Sequence, residues 1–370
     1  MIAATVPIQR AVDARLISVD RRGVTRHVLR TQLIDLLQPD DVVIANDAAT
    51  VPASLRGTHV PTGREIEVRL AARTSLAPAT IGHVVAVVFG EGDFRMRTED
   101  RPQPPALHRG DRLVLGPLRA TVVSRVNHPR LVLLRLDGTP GEIWLGLARH
   151  GRPVQYAHLQ EPLAIWDTWT PIAGPPAAFE PPSAGFALSW GVLDALAARG
   201  IAFGTLTHAA GLSSLGDPAL DAMLPFDEPY VIPRSTARLV NRARARGSRI
   251  VAVGTSVVRA LEHASAGGAV RAGDGLATGR LGPGSALRVV DAILTGTHEP
   301  GTSHHELLRA FAPAATLDLI DDVLNRSGYR THEFGDSMLL EPHVSIDRPS
   351  RQGGTLREEV GRQSTAAINA

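Results

Sequence analysis

The chain has 370 residues, 44% of them apolar, with 39 basic and 37 acidic side chains and a formal net charge of +2. That length holds two domains, or one large domain with an insertion, and the apolar share can bury a substantial core. Cysteine and lysine are both absent, which excludes disulfides, cysteine-ligated zinc, iron–sulfur clusters, thiol nucleophiles, Schiff-base chemistry and a P-loop lysine.

Residues 15–47 read in order as strand, turn, strand, short helix and buried strand: RLISVD, VTRHVLR, LIDLL and DVVIAND. Pro39-Asp40-Asp41 turns the chain into the last of these. From about 60 to 150 the texture changes to short alternating segments, EIEVRLAA, GHVVAVVF, DFRMRT, DRLVLG, RATVVSRV and LVLLRLD, separated by Gly, Pro and Asp. Period-two alternation broken by frequent turns predicts a small antiparallel barrel, whose Arg-rich outward positions face solvent or RNA. Residues 151–182, rich in Pro and Trp, predict irregular connecting chain.

Helix and strand patterns then alternate. GVLDALAARG reads as a helix ending at Gly200, IAFGTLTH as a strand, and PRSTARLVNRARARG as a helix closed by Gly247. RIVAV reads as a strand, SVVRALEHAS as a helix, ALRVVDAILTGTH as mostly strand, and HHELLRAFA and LIDDVLNRSG as two more helices. The expected fold is α/β, a mixed or parallel sheet layer covered by helices, with an inserted small antiparallel β-barrel. Residues 1–58 make the first part of the α/β domain, 59–152 the barrel, 153–342 the second part, and 343–370 a polar, mobile tail.

Within RIVAVGTSVVRALE (249–262) a β-branched run breaks at Gly254 and restarts as a helix opened by Thr255 or Ser256. The N-terminus of such a helix can hold an anion, although a plain Ser/Thr cap has the same sequence. Arg259 stands one turn on from Thr255, within reach of the same mouth. Asn46 and Asp47 end a buried strand, a common location for binding residues, and an Asx turn reads identically. No apolar run approaches the roughly 20 residues of a membrane span, and MIAATVPIQRAVDARL lacks the pattern of a signal peptide. The expected location is the cytoplasm, with no membrane partner. The arginine run RLVNRARARGSR (238–249) reads equally as a solvated helix face or an RNA contact.

Taken in order, several segments carry a resemblance over about Arg15 to Glu341. They are RLISVD, LIDLLQPDDVVIANDAATVPASLRG (34–57), PPSAGFALS (181–189), THAAGLSSLG (207–216), EPYVIPRSTARLVNRARARGSRIVAVGTSVVRALE (228–262), TGTHEPGTS (295–303), LLRAFA (307–312) and YRTHEFGDSMLLEP (329–342). The chain resembles the S-adenosylmethionine:tRNA ribosyltransferase-isomerases of queuosine biosynthesis. That resemblance implies an α/β layer with an early barrel insertion, S-adenosylmethionine as ribosyl donor and co-substrate, tRNA as partner, and no metal. The ribosyl unit would be transferred and rearranged onto a 7-aminomethyl-7-deazaguanine at the wobble position, giving epoxyqueuosine with release of adenine and methionine. A monomer is the favoured state.

Such a reaction needs bases for an amine and for an acidic carbon beside a sulfonium, and a donor to help adenine leave. His208 and His298 each stand where a strand pattern runs into a Gly/Ser/Thr-rich loop, match family histidines, and can titrate near neutrality. A histidine bonding loop backbone explains either position as well. Ser183, Ala184 and Gly185 match the family's threonine-alanine-glycine turn. Gly335 and Asp336 lie in the terminal motif, where Asp336 can take a ribose hydroxyl or an amine, or cap a helix.

The chain also departs from the family pattern. Ala49 stands for an arginine, Leu212-Ser213-Ser214 for glycine-threonine-phenylalanine, Glu299 for leucine, and His304-His305-Glu306 for an apolar triplet. The polar triplet predicts either an exposed helix start or a new polar site, and the first is favoured. A metal at His298, Glu299, His304, His305 and Glu306 is not expected, because neighbouring histidines point to different helix faces. A transferase with a different acceptor and a non-catalytic RNA-binding relative remain the alternatives.

Overall fold

The computed structural model describes residues 1–7 and 13–342; the expected tail, 343–370, lies outside the described residues. Nine strands form one sheet in the order Gly273–Ala277, Glu228–Ile232, Ala202–His208, Val42–Asn46, Ile250–Val253, Ala292–Gly296, Ser337–Leu340, Arg15–Val19 and Thr25–Leu29. The four middle strands from Ala202–His208 to Ala292–Gly296 are parallel, and antiparallel pairs flank them on both sides. This is the mixed sheet the alternating patterns predict.

Strand Ile250–Val253 shows why an all-apolar run suits this position. Ile250 and Ala252 point into one core with Val257, Val258 and Leu261 of helix Thr255–Ala264 and Val240 of helix Arg234–Arg246. Val251 and Val253 point into the opposite core, with Leu33 of the 3-10 turn Arg30–Leu36 and Leu196 of helix Trp190–Ala198. A strand covered on both faces has no polar side to show. Helix Arg234–Arg246 ends at Gly247 as expected, and there the chain takes a left-handed cap at φ +73°.

The barrel closes through six strands in the order Leu118–Arg125, Leu131–Leu136, His83–Phe89, Arg64–Ala72, Ser54–His59 and Arg112–Leu115. Its first strand begins at Ser54, ahead of the point where the sequence texture changes. DFRMRT, expected to be a strand, instead forms turns leading into the 3-10 turn Thr98–Asp100, because Asp93 takes up the backbone N–H of Arg95. Helix Pro140–His150, set by a Thr139–Glu142 capping box, packs Ile143 and Leu147 against the barrel core. Two barrel arginines turn inward and do not face solvent. Arg69 and Arg101 both pair with buried Glu67, at 2.6 and 2.5 Å, with their guanidinium groups over Phe89. No helix among the described residues is long and apolar enough to cross a membrane.

Candidate active site

The parallel strands Val42–Asn46 and Ile250–Val253 are neighbours whose chains leave in different directions. The first runs into the barrel and the second into helix Thr255–Ala264. Crevices outside the carboxyl ends of such strands are where α/β sheets bind ligands. A cavity of about 70 Å³ opens there, lined by Ser183 and Ala184, by Ala210 to Ser213, by Gly254 to Ser256, and by Glu180, Glu228, Arg259, Thr295, His298, Ser303 and His304. It shares Ser213, Pro225, Arg259, Ser303 and Leu307 with a wider cleft of about 800 Å³ that adds Arg280, Ser285, Thr302 and Glu306. The small cavity is thus the floor of a cleft whose size matches small-molecule sites of ~300–1,000 Å³.

Gly254 makes the floor possible. Its φ of +95° with ψ 154° is a conformation that side-chain-bearing residues avoid. Its N–H donates to Leu294 O at 2.8 Å, and no side chain among the described residues caps the helix that follows. Thr255 and Ser256 therefore present the positive helix end as part of the wall. Beside it, Thr295 Oγ1 and His298 Nε2 are 2.7 Å apart. Burial, reinforced by the nearby His304 and His305, holds the His298 imidazole well below its ordinary range, so it is neutral. Burial also brings His304 down to about 4.

The titratable group of this wall tuned to neutrality is one that motif reading missed. Glu180 is buried, which pushes its carboxyl up to about 7, against the opposing hydrogen bonds of Ser213 and Tyr156. The Tyr156 hydroxyl donates to Glu180 Oε1. In sequence Glu180 is one acidic residue before a Pro-Pro turn; only its burial in three dimensions sets it apart.

Of the residues predicted to form the site, Ser183, Ala184, Gly254, Thr255, Ser256, Arg259 and His298 do line the cavity. Arg259, however, does not turn to the helix mouth. Its guanidinium pairs with Glu228 and donates to the carbonyls of Phe226, Ala277 and Gly279. Gly185 lies behind the lining, where a Cβ would come within 2.9 Å of Thr170.

Five predicted residues stand elsewhere. His208 is 0% exposed, with neither ring nitrogen hydrogen-bonded among the described residues; burial and Arg259 keep it well below its ordinary range. Its Nε2 stands 3.5 Å from Glu228 Oε2, and its backbone N–H is held by Asn46 Oδ1 at 2.9 Å, so it packs behind Glu228 and outside the cavity lining. Asn46 spends the rest of its amide on Ala48 N, His208 O and Ser256 Oγ. Asp47 accepts from Thr207 Oγ1 at 2.6 Å. Asp336 accepts from the Arg15 and Arg330 backbones and pairs with the Arg15 guanidinium at 3.1 Å. Gly335 sits in a turn so tight that a Cβ would lie 2.4 Å from Arg330 O.

The polar triplet at 304–306 is not an exposed helix start. His304 enters the cavity, buried His305 bonds Asp321 at 3.0 Å, and Glu306 pairs with Arg309 at 3.0 Å. The His298 and His304 rings meet, with centroids 4.8 Å apart and planes 52° from parallel, while His305 turns away to Asp321, as adjacent histidines on one helix must.

An inserted barrel on a mixed sheet, with a cleft at the carboxyl ends of its parallel strands, is the layout of an α/β protein with a ligand site at the strand ends. The chain belongs to the queuosine biosynthesis protein family, whose sequence profile matches residues 1–340. It is similar to the S-adenosylmethionine:tRNA ribosyltransferase-isomerase of Anaeromyxobacter sp. (strain Fw109-5), at 32% identity over 92% of this chain and 95% of that protein. A protein of the same description from Thermus thermophilus is 31% identical over 88% of this chain and 92% of its own. A crystal structure of S-adenosylmethionine tRNA ribosyltransferase from Thermotoga maritima aligns with 91% of this chain and 96% of its own, at 21% identity and a TM-score of 0.48.

Proposed function

We propose that this chain is a cytoplasmic S-adenosylmethionine:tRNA ribosyltransferase-isomerase. It moves the ribosyl unit of S-adenosylmethionine onto 7-aminomethyl-7-deazaguanine at the tRNA wobble position, giving epoxyqueuosine, adenine and methionine. The observation that carries this reading is the family match over residues 1–340, together with a cavity at the strand ends that brings Glu180, His298 and the helix start at Thr255 to one wall. Ionised, Glu180 takes a proton from the acceptor amine or from the carbon beside the sulfonium. The helix start at Thr255 and Ser256 receives the donor's carboxylate. Neutral His298, oriented by Thr295, hydrogen-bonds the departing adenine. Arg238, Arg242 and Arg246 are exposed and spaced four apart on one helix, a basic stripe suited to tRNA phosphates.

A second reading, a transferase for another acceptor, is favoured by one fact. Leu212, Ser213 and His304, which replace the residues expected from the family pattern, all line the cavity. One experiment separates the two. With labelled S-adenosylmethionine, adenine release only when tRNA bearing the aminomethyl-deazaguanine is added supports the first reading. Release driven by a different acceptor supports the second, and donor binding without release under any acceptor defeats both.

A further inference from the structure

One layer behind the cavity wall, two imidazoles and a carboxylate come together from distant parts of the chain. His158 belongs to the connection leaving the barrel, and His332 and Glu333 precede strand Ser337–Leu340. His158 Nε2 lies 3.3 Å from Glu333 Oε2, and the His158 and His332 rings stack with centroids 4.1 Å apart and planes 11° from parallel. One potential ligand atom from each of the three lies within 4.8 Å of the others. Glu299 Oε1 stands 3.6 Å from His332 Nε2 at the rim. We propose that His158, His332 and Glu333 form a binding site for one divalent cation of the zinc class, with Glu299 or water completing the shell.

The donor chemistry selects the class. Two imidazoles with a carboxylate suit zinc and its neighbours, whereas magnesium and calcium take oxygen ligands. Ligands about 2.0–2.1 Å from a tetrahedral zinc are themselves roughly 3.3 Å apart, the spacing His158 and Glu333 already hold. His332 closes the remaining gap by tilting out of its stack, since a cation must lie near the plane of both rings. His332 also keeps a φ of +69°, a backbone state uncommon for residues other than glycine. The site connects to the cavity through Tyr156, whose ring lies 13° from parallel to His158 and whose hydroxyl holds Glu180. A bound cation would fix that layer.

The test uses the full chain, free of affinity tag and treated with chelator, titrated with Zn²⁺ by calorimetry and with Co²⁺ by visible absorption. One equivalent of zinc, a tetrahedral cobalt spectrum, and a rise in melting temperature with zinc are expected. His158→Gln and Glu333→Gln should each weaken binding by at least about 10-fold while melting like the parent without metal; Glu306→Gln, outside the cluster, should bind normally. Absence of saturable binding by the parent, or undiminished one-to-one binding by whichever of the two variants folds, overturns the proposal. None of these readouts uses the transfer reaction, so the outcome is independent of the proposed function.

Discussion

Arg259, on the helix that opens the site, is bound to Glu228 of strand Glu228–Ile232, one strand in from the sheet edge, and both side chains are buried. Glu228 also accepts Gly211 N at 2.7 Å, so a single carboxylate ties the helix to the loop after strand Ala202–His208. Removing one partner strands a buried charge. Arg259→Met is expected to cost about 3–5 kcal/mol, and pairing it with Glu228→Gln should recover part of that loss. Denaturant unfolding of the two single variants and the double variant measures it; additive losses would show that the pair is not coupled.

Glu180 links stability and activity to pH. Its carboxyl is raised from an unfolded value of 4.5 to about 7, so the folded state holds its proton more tightly. The contribution is present in full below pH 4.5 and is lost as pH rises through about 7, on the order of 3 kcal/mol in all. Glu180→Gln should remove that dependence and lower adenine release by about 10²–10⁴-fold. In the parent, release should climb through pH 7 as the base ionises. A variant with parental turnover would remove Glu180 from the chemistry.

Gly254 is constrained by conformation more than by space. A Cβ would meet Ala184 Cβ at 3.5 Å, an ordinary contact, but φ is +95°. Gly254→Ala should therefore destabilise by about 1–3 kcal/mol through backbone strain and weaken binding of the donor by reshaping the helix mouth. Equilibrium unfolding and donor calorimetry give the two numbers separately.

Asp336 separates a structural from a catalytic carboxylate. With its oxygens on Arg15 and on the Arg15 and Arg330 N–H groups, Asp336→Asn is expected to lose about 1–3 kcal/mol of stability. Its adenine release per folded molecule should stay near parental. Unchanged melting with collapsed turnover would return Asp336 to the active site.

Substituting Gln at Arg238, Arg242 and Arg246 together should weaken tRNA binding and lower the slope of log affinity against log salt by up to about 2–3, one counterion per lost phosphate contact. S-adenosylmethionine binding should not change. A salt slope equal to the parent's would move the tRNA interface elsewhere.

Much of this architecture was legible along the chain. A period of about 3.6 residues marks the helix closed by Gly247, and a short β-branched apolar run stopped by a glycine marks Ile250–Val253. The break at Gly254 was equally plain, because few residues other than glycine adopt its backbone angles. Strand Glu228–Ile232 carries no such period, with Pro229 inside it and burial at four of its five positions, and DFRMRT alternates without forming a strand. Local pattern cannot tell a barrel strand from a turn whose carboxylate has captured the backbone.

Sequence alone determined the class of fold, the order of its parts, the family, and the helix mouth at 254–256, because each rests on local periodicity or on motif order. Tertiary structure decided which titratable groups meet the cleft. It buried His208 behind Glu228 and tied Asp336 to Arg15, and it raised Glu180 to about 7 beside Tyr156. The physical reason is that burial and charge partners come from residues far apart in the chain, and a side chain's protonation depends on those neighbours and not on its own spacing.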